Sequence, residues 1–360
     1  MTSDGTLLVG MVGQGVYRTS DEGVSWKRLG TDDGMHLNAM VRVLIADPRD
    51  PNIVFCGCDK GIYRSVDQGK TWELSTTIVA NHHIWCIAID PINPDIMFAG
   101  AGSPSLPTMF RSKDAGKTWE KRPMEAAETC AIGVPQVTAI AIDPADSQTI
   151  WAGIEVDGLR KSTDGGETFE TITNQIPNDE YYPIDDIHNI AITVGPPPTI
   201  FVLSGGGGGH APDLWESTNN GKTWKAFNIR DNFPCIGDIN GERNYPRGIA
   251  VDPGDPHTIF ISLGDTTPGH TGAIFRSKDT GNTWEPLDLP VSPNSALWTV
   301  SVSSENSNKV FTGSRYGYLY QSNDGGNTWT KLWRECSEIS SILWLHNKPL
   351  LTQETSLKKS

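Results

Sequence analysis

Apolar residues in this chain come in short runs, and each run ends at a cluster of Gly, Pro, Asn, Asp or Ser. Residues 41–76 show the unit: VRVLIADP, a Pro-rich turn, NIVFCGC, then GIYRS, the polar octet SVDQGKTW and a last run that opens on its Thr-Trp, TWELST. Runs that alternate apolar with polar residues, or are continuously Val, Ile and Ala, mark half-buried and fully buried strands. No stretch carries the period of about 3.6 residues that an amphipathic helix needs.

The octet recurs as TSDEGVSW, SVDQGKTW, SKDAGKTW, STDGGETF, STNNGKTW, SKDTGNTW and SNDGGNTW. Its third residue is Asp21, Asp67, Asp114, Asp164, Asn219, Asp279 and Asp324, at spacings of 46, 47, 50, 55, 60 and 45. Periods of this length with four strands in each describe propeller blades, the Val/Ile-rich first strand being innermost. The chain ends complete the pattern. TLLVGM, GVYRTS and VSWKRL supply a second, third and fourth strand at the N-terminus, and ISSILWLH supplies the missing first strand near the C-terminus. The expected fold is therefore all-β: one domain over residues 1–360, a seven-bladed β-propeller with four antiparallel strands per blade. The C-terminal strand joins the N-terminal blade and closes the ring, which leaves no open sheet edge.

Within the octet, Gly at the fifth place permits positive φ in a tight turn, and the Asp two residues earlier accepts backbone N–H bonds inside it. The trailing Thr-Trp is expected to begin the fourth strand. The pattern S-x-D-x-G-x-T-W resembles the Asp-box, or bacterial-neuraminidase repeat, of sialidases, sortilin-like ectodomains, xyloglucanases and photosystem II assembly factors. The resemblance covers nearly the whole chain. It implies that the box lies between third and fourth strands, away from any active face, and that it builds the blade. It does not select a function, since these families differ in what they do.

Composition narrows the classes. A hydrophobic content of 37% with 12 Trp is ample for a core, and no apolar run reaches the ~18 residues of a membrane helix. A formal charge of −14 argues against a nucleic-acid partner, whose phosphates call for clustered Lys and Arg. Cysteines stand at 56, 58, 86, 130, 235 and 336, and the C-x-C of Cys56 and Cys58 reads as buried apolar residues rather than a metal site. The opening MTSDGTLLVG shows no leader, so a cytoplasmic location is expected, with a secreted or periplasmic one if a leader has been trimmed.

Chemistry is expected where the repeats differ. Aligning the first strands places Arg42, Trp85, Thr138, His188, Arg247, Trp298 and Ser341 at one depth around the channel, a set too polar and aromatic for a simple plug. Loops on the same face carry His36, His82, His83, His210 and His270, with Tyr181, Tyr182, Asp185, Asp186, Arg243, Tyr245, Arg315 and Tyr316; His257 and His346 fall elsewhere. The insertions GGGGGHAP and GDTTPGHTG lengthen two successive blades there.

Arginines aimed into a channel bind anionic groups and Trp faces stack on sugars, so the expected ligand is an anionic small molecule or saccharide. Arg42 and Arg247 would hold the anion and Trp85 and Trp298 the ring. His188 would act as base or electrostatic stabiliser, Tyr245 or Tyr182 as proton donor, with His83, His210, His270 and Arg315 completing the site. That set is similar in kind to seven-bladed uronate lyases and points first to β-elimination. Glycoside hydrolysis of the sialidase-like or xyloglucanase-like type is the alternative, with Asp157, Asp186 and Asp265 as candidate carboxylates. A sialidase fits poorly, because VYRTS stands where that family has its Arg motif and sialidases have six blades. A third reading is a non-enzymatic scaffold whose partner is a protein segment. Spacing leaves open a divalent metal at the channel mouth, for instance through His83 with His210 or His270.

Overall fold

The structure, a computed structural model, describes residues 4–172, 184–195, 197–205, 212–234, 244–334 and 336–347. Its strands form seven four-stranded antiparallel sheets, each ordered first to fourth strand from the channel outward. In the unit at residues 41–76 they are Val41–Asp47, Asp50–Cys58, Gly61–Ser65 and Glu73–Leu74. The ring closes as expected: Ile339–His346 pairs antiparallel with Gly5–Met11, followed by Gly15–Thr19 and Lys27–Arg28. Helix among the described residues is limited to a 3-10 turn at Thr31–Asp33 and one turn at Ile229–Asn232. Among the described residues no helix is long and apolar enough to cross a membrane.

The core lies between neighbouring sheets rather than at the axis. Phe55 and Ile62 of one blade pack against Ile84, Ile87, Met97 and Phe110 of the next. Each such side chain contributes about 1.5–3 kcal/mol on burial, so every blade is stabilised by both neighbours. Cys56, Cys58 and Cys86 are buried in these layers, and the five described cysteines form no disulfide.

The octet departs from expectation in one respect. Thr71 and Trp72 do not begin the fourth strand; they close the turn. The Ser65 hydroxyl donates to Asp67 and accepts from the Gly69 N–H (2.8 and 2.9 Å). Asp67 in turn accepts from the Thr71 backbone and hydroxyl (2.9 and 2.7 Å), and the Trp72 indole donates to the Gly69 carbonyl (3.1 Å). With both residues so engaged, the outer strand is only Glu73–Leu74. Asn219 keeps the same geometry in its blade, its amide donating to the Thr223 hydroxyl where a carboxylate would accept.

Candidate functional site

The inner strands carry the site through a repeated irregularity. Each first strand pairs with the second except at one residue, which the register skips: Arg42, Trp85, Thr138, His188, Arg247 and Trp298 in six blades. In the closing blade Gly10 faces Ser341 and Met11 faces Ile339, so the skipped residue is Ser340, not the Ser341 of the sequence alignment. A bulged residue is released from the pleat, and its side chain is re-aimed. All seven line one channel cavity of about 250 Å³, with Ser341 beside them. Small bulged residues tie blade to blade. Thr138 donates to the Ile187 carbonyl (2.6 Å) and Ser340 to that of Val41 (2.6 Å), in both cases the residue before the next blade's bulge. His188 Nδ1 meets the Pro246 carbonyl in the same relation at 2.7 Å.

A glycine on the second strand makes room for this approach. A Cβ on Gly153 would lie 2.2 Å from Ile187 of the following blade, and one on Gly100 2.6 Å from Val137.

Large bulged residues pair as cation on aromatic ring. The Arg42 guanidinium sits 3.9 Å from the Trp85 centroid and that of Arg247 3.8 Å from Trp298. Arg315 lies 4.6 Å from the same Trp298 ring. Glu338 lies between Arg42 (3.7 Å) and Arg315 (3.6 Å) and so occupies the anion place that the sequence assigned to a substrate at Arg42. Burial still pulls the Arg42 guanidinium below its usual range, against the pull of Glu338. Arg247 has no ion pair among the described residues.

Two residues upstream of the bulge, one step nearer the mouth, a second tier holds His83, Gln136, Asp186, Tyr245 and Glu338. His83 is buried. Its Nδ1 meets the Ser103 carbonyl (2.9 Å) and its Nε2 accepts from Arg42 Nε (3.3 Å), so it holds Arg42 rather than facing a ligand. Burial and then Arg42 keep its imidazole below its ordinary pKa. On the opposite wall Tyr245 Oη lies 3.0 Å from His188 Nε2, and Asp186 Oδ2 lies 3.4 Å from the same nitrogen. The His188 side chain is fully buried. Burial, and after it Arg247, lowers the pKa of His188, and burial raises that of Tyr245. Glu155, directly after a second strand, brings a carboxylate to this wall. One ligand atom each from Glu155, Asp186 and His188 lie within 4.8 Å of one another. Burial, reinforced by Asp186 and opposed by Arg247 and Arg42, raises the pKa of Glu155.

Other expected residues fall elsewhere. Asp157 is held by Arg160 (2.8 Å) and the Ala127 N–H. Asp265 accepts the backbone N–H groups of His270 and Thr271 and so fastens its own loop. His270, its side chain largely exposed, contacts that carboxylate and does not line the cavity. Tyr181, Tyr182, His210 and Arg243 lie outside the described residues. Glu155 and Glu338 were missed. Glu338 was hidden by the one-residue slip in the last blade: with Ser341 aligned, Ile339 stands at the place of Asp186, His83 and Tyr245, and only the Ser340 bulge brings Glu338 there.

The profile of the Sortilin-Vps10 family (sortilin, neurotensin receptor 3) matches residues 60–193 and 212–359. Similar proteins include a xyloglucanase of Hypocrea jecorina, 25% identical over 305 residues, covering 74% of this chain and 34% of the relative. A xyloglucanase of a Paenibacillus sp is 28% identical over 314 residues, covering 75% and 29%. The chain thus spans about a third of the length of the curated relatives it matches. Among solved structures, a GH74 xyloglucanase from Xanthomonas campestris aligns with TM-score 0.65 at 17% identity, over 96% of this chain and 55% of that one. YCF48 from Cyanidioschyzon merolae aligns with TM-score 0.55 at 15% identity, over 81% and 85%. These likenesses establish the shared propeller. With its octets, its seven closed blades and a profile match over most of its length, the chain belongs to the Sortilin-Vps10 family.

Proposed function

We propose that the chain is a glycoside hydrolase whose site is the channel mouth. The observation that carries this reading is the meeting of Glu155 and Asp186 within 4.8 Å, beside two Trp rings backed by arginine. Glycosidic cleavage needs two carboxyl groups. One protonates the leaving oxygen as the C–O bond breaks, and the other supports the positive charge that develops at the anomeric carbon, to which water finally adds. Glu155, the more accessible, is assigned the proton, and Asp186 the charge.

The xyloglucanases among the relatives favour hydrolysis over β-elimination. So does His188: both ring nitrogens are engaged, with Pro246 and Tyr245, and its side chain has no exposed surface from which to take a substrate proton. Trp85 and Trp298 offer a sugar ring the surface that Arg42, Arg247 and Arg315 leave uncovered, and Arg247, without an ion pair among the described residues, favours a sugar that bears an acidic group.

The test is reducing-sugar release from a panel of neutral xyloglucans and uronate-bearing glycans, with wild type and Glu155→Gln. Loss of a positioned proton donor should lower turnover about 10²–10⁴-fold while binding persists. Equal turnover by the variant would falsify the assignment of Glu155. Unsaturated products absorbing in the ultraviolet would restore elimination.

A further inference from the structure

We propose that Glu155, Asp186 and His188 form a binding site for a transition-type divalent cation, Zn2+ in the first place, on the channel wall. Their ligand atoms lie within 4.8 Å of one another, and the 3.4 Å between Asp186 Oδ2 and His188 Nε2 matches the edge of a tetrahedron with metal–ligand bonds of about 2.1 Å. Tyr245 Oη, 3.0 Å from Nε2, adds an oxygen beside them.

Three further observations point to a cation. First, a carbonyl oxygen only accepts, so the Pro246 contact puts the proton of neutral His188 on Nδ1 and leaves the Nε2 lone pair facing the Asp186 carboxylate. Without a cation the Tyr245 hydroxyl, 3.0 Å away, is the donor to that nitrogen and Asp186 brings no proton to it, and an imidazole whose far nitrogen is fixed by a backbone carbonyl is the usual form of a metal-ligating histidine. Second, Asp186 Oδ1 is buried and has no hydrogen-bond partner, a costly state for a carboxylate oxygen that a cation relieves when the carboxylate binds it through both oxygens. Third, the chain keeps the space between these atoms open with Gly205. Its backbone N–H donates to the Asp186 carbonyl (2.8 Å), and a Cβ there would lie 2.2 Å from Asp186 Oδ2 and 2.4 Å from His188 Nε2.

The donor set chooses among cations. One imidazole and two carboxylates suit Zn2+ and Mn2+ better than Ca2+ or Mg2+, which take oxygen ligands. Arg247 and Arg42 act on Glu155 from the Trp faces, which disfavours an ion held by charge alone. The inference stands without the hydrolase reading. A bound cation engages the same carboxylate oxygens, so the cation-loaded and acid–base forms of the wall are alternative states.

Calorimetry and thermal melts of the full chain, stripped with EDTA and titrated with Zn2+, Mn2+, Ca2+ or Mg2+, test it. The expected result is one Zn2+ per chain, a rise in Tm, weaker binding of Mn2+ and no effect of Ca2+ or Mg2+. Asp186→Asn and His188→Gln should abolish the bound equivalent. Because those residues are buried, Glu155→Gln is the control for folding: it should keep the metal-free Tm and weaken Zn2+ at least tenfold. Gly205→Ala should block binding with all three ligands present. No Zn2+ bound by wild type, or an unchanged equivalent in Glu155→Gln and Asp186→Asn, would overturn the proposal.

Discussion

The Arg247 guanidinium lies 3.8 Å from the centroid of the Trp298 ring, and it makes no ion pair among the described residues. A planar cation held over an indole ring keeps its charge and its donor fork while losing little freedom on meeting a ligand. Arg42 repeats the stack on Trp85, but Glu338 already stands beside it, so the two bulges are alike in form and unlike in availability.

Arg247→Lys should therefore weaken an acidic sugar while leaving the fold unchanged. A cation–π stack contributes about 0.5–2 kcal/mol, so the loss is roughly 2- to 30-fold in Kd by calorimetry. Equal affinity in the variant would remove Arg247 from recognition.

His83 should matter to stability more than to ligand choice. His83→Ala leaves Arg42 Nε and the Ser103 carbonyl without their partner, at a cost of about 1–3 kcal/mol in urea unfolding. A variant as stable as wild type would show that Arg42 is held by Trp85 and Glu338 alone.

Gly153→Ala should be among the more damaging conservative changes. The new methyl would lie 2.2 Å from Ile187 of the next blade, which must shift to admit it, and overpacking of this kind costs about 1–3 kcal/mol. Denaturant midpoints for Gly153→Ala against Gly195→Ala, where φ is not left-handed and a Cβ meets only the Pro197 carbonyl at 3.7 Å, separate crowding from the mere loss of a glycine.

The octets set the response to acid. Asp21, bonded to the Ser25 hydroxyl and backbone, and Asp164, bonded to Thr168, are lowered to about 2. Carboxylates whose folded pKa is depressed contribute stability that is fully present above their unfolded pKa and lost as pH falls through the folded one. Tm should accordingly hold down to about pH 4 and then decline towards pH 2. Asp164→Asn, which copies the natural Asn219, should flatten that decline. A Tm level from pH 4 to 2 in wild type would mean that these bonds survive protonation.

The blade count, the ring closure and the inner-strand positions were legible because period-two runs and a recurring octet are local signals, written within a few residues. Register is not local. Ser340 and Ser341 are both small and polar, and only the pairing partner, Gly10, decides which is bulged. The fourth strand was read too long for a related reason: Thr71 and Trp72 have high strand propensity, and the closing bonds of the turn override it. Glu155 escaped notice because its loop offered Asp157 as the more obvious acid. What separates them is Arg160, which takes Asp157 out of the channel's chemistry through the fold.

The skipped register has a consequence for how such a protein changes over time. A residue at the bulge does not pair across its own sheet, so replacing it alters what the channel presents, and only at Arg42, Thr138, His188 and Ser340 does the change also remove a hydrogen bond to the next blade. Each blade contributes one such socket, addressed by a single codon. A wheel built this way separates inheritance of the scaffold from variation of its hub, and a library confined to the three sockets that make no such bond, Trp85, Arg247 and Trp298, would explore new ligands on one frame.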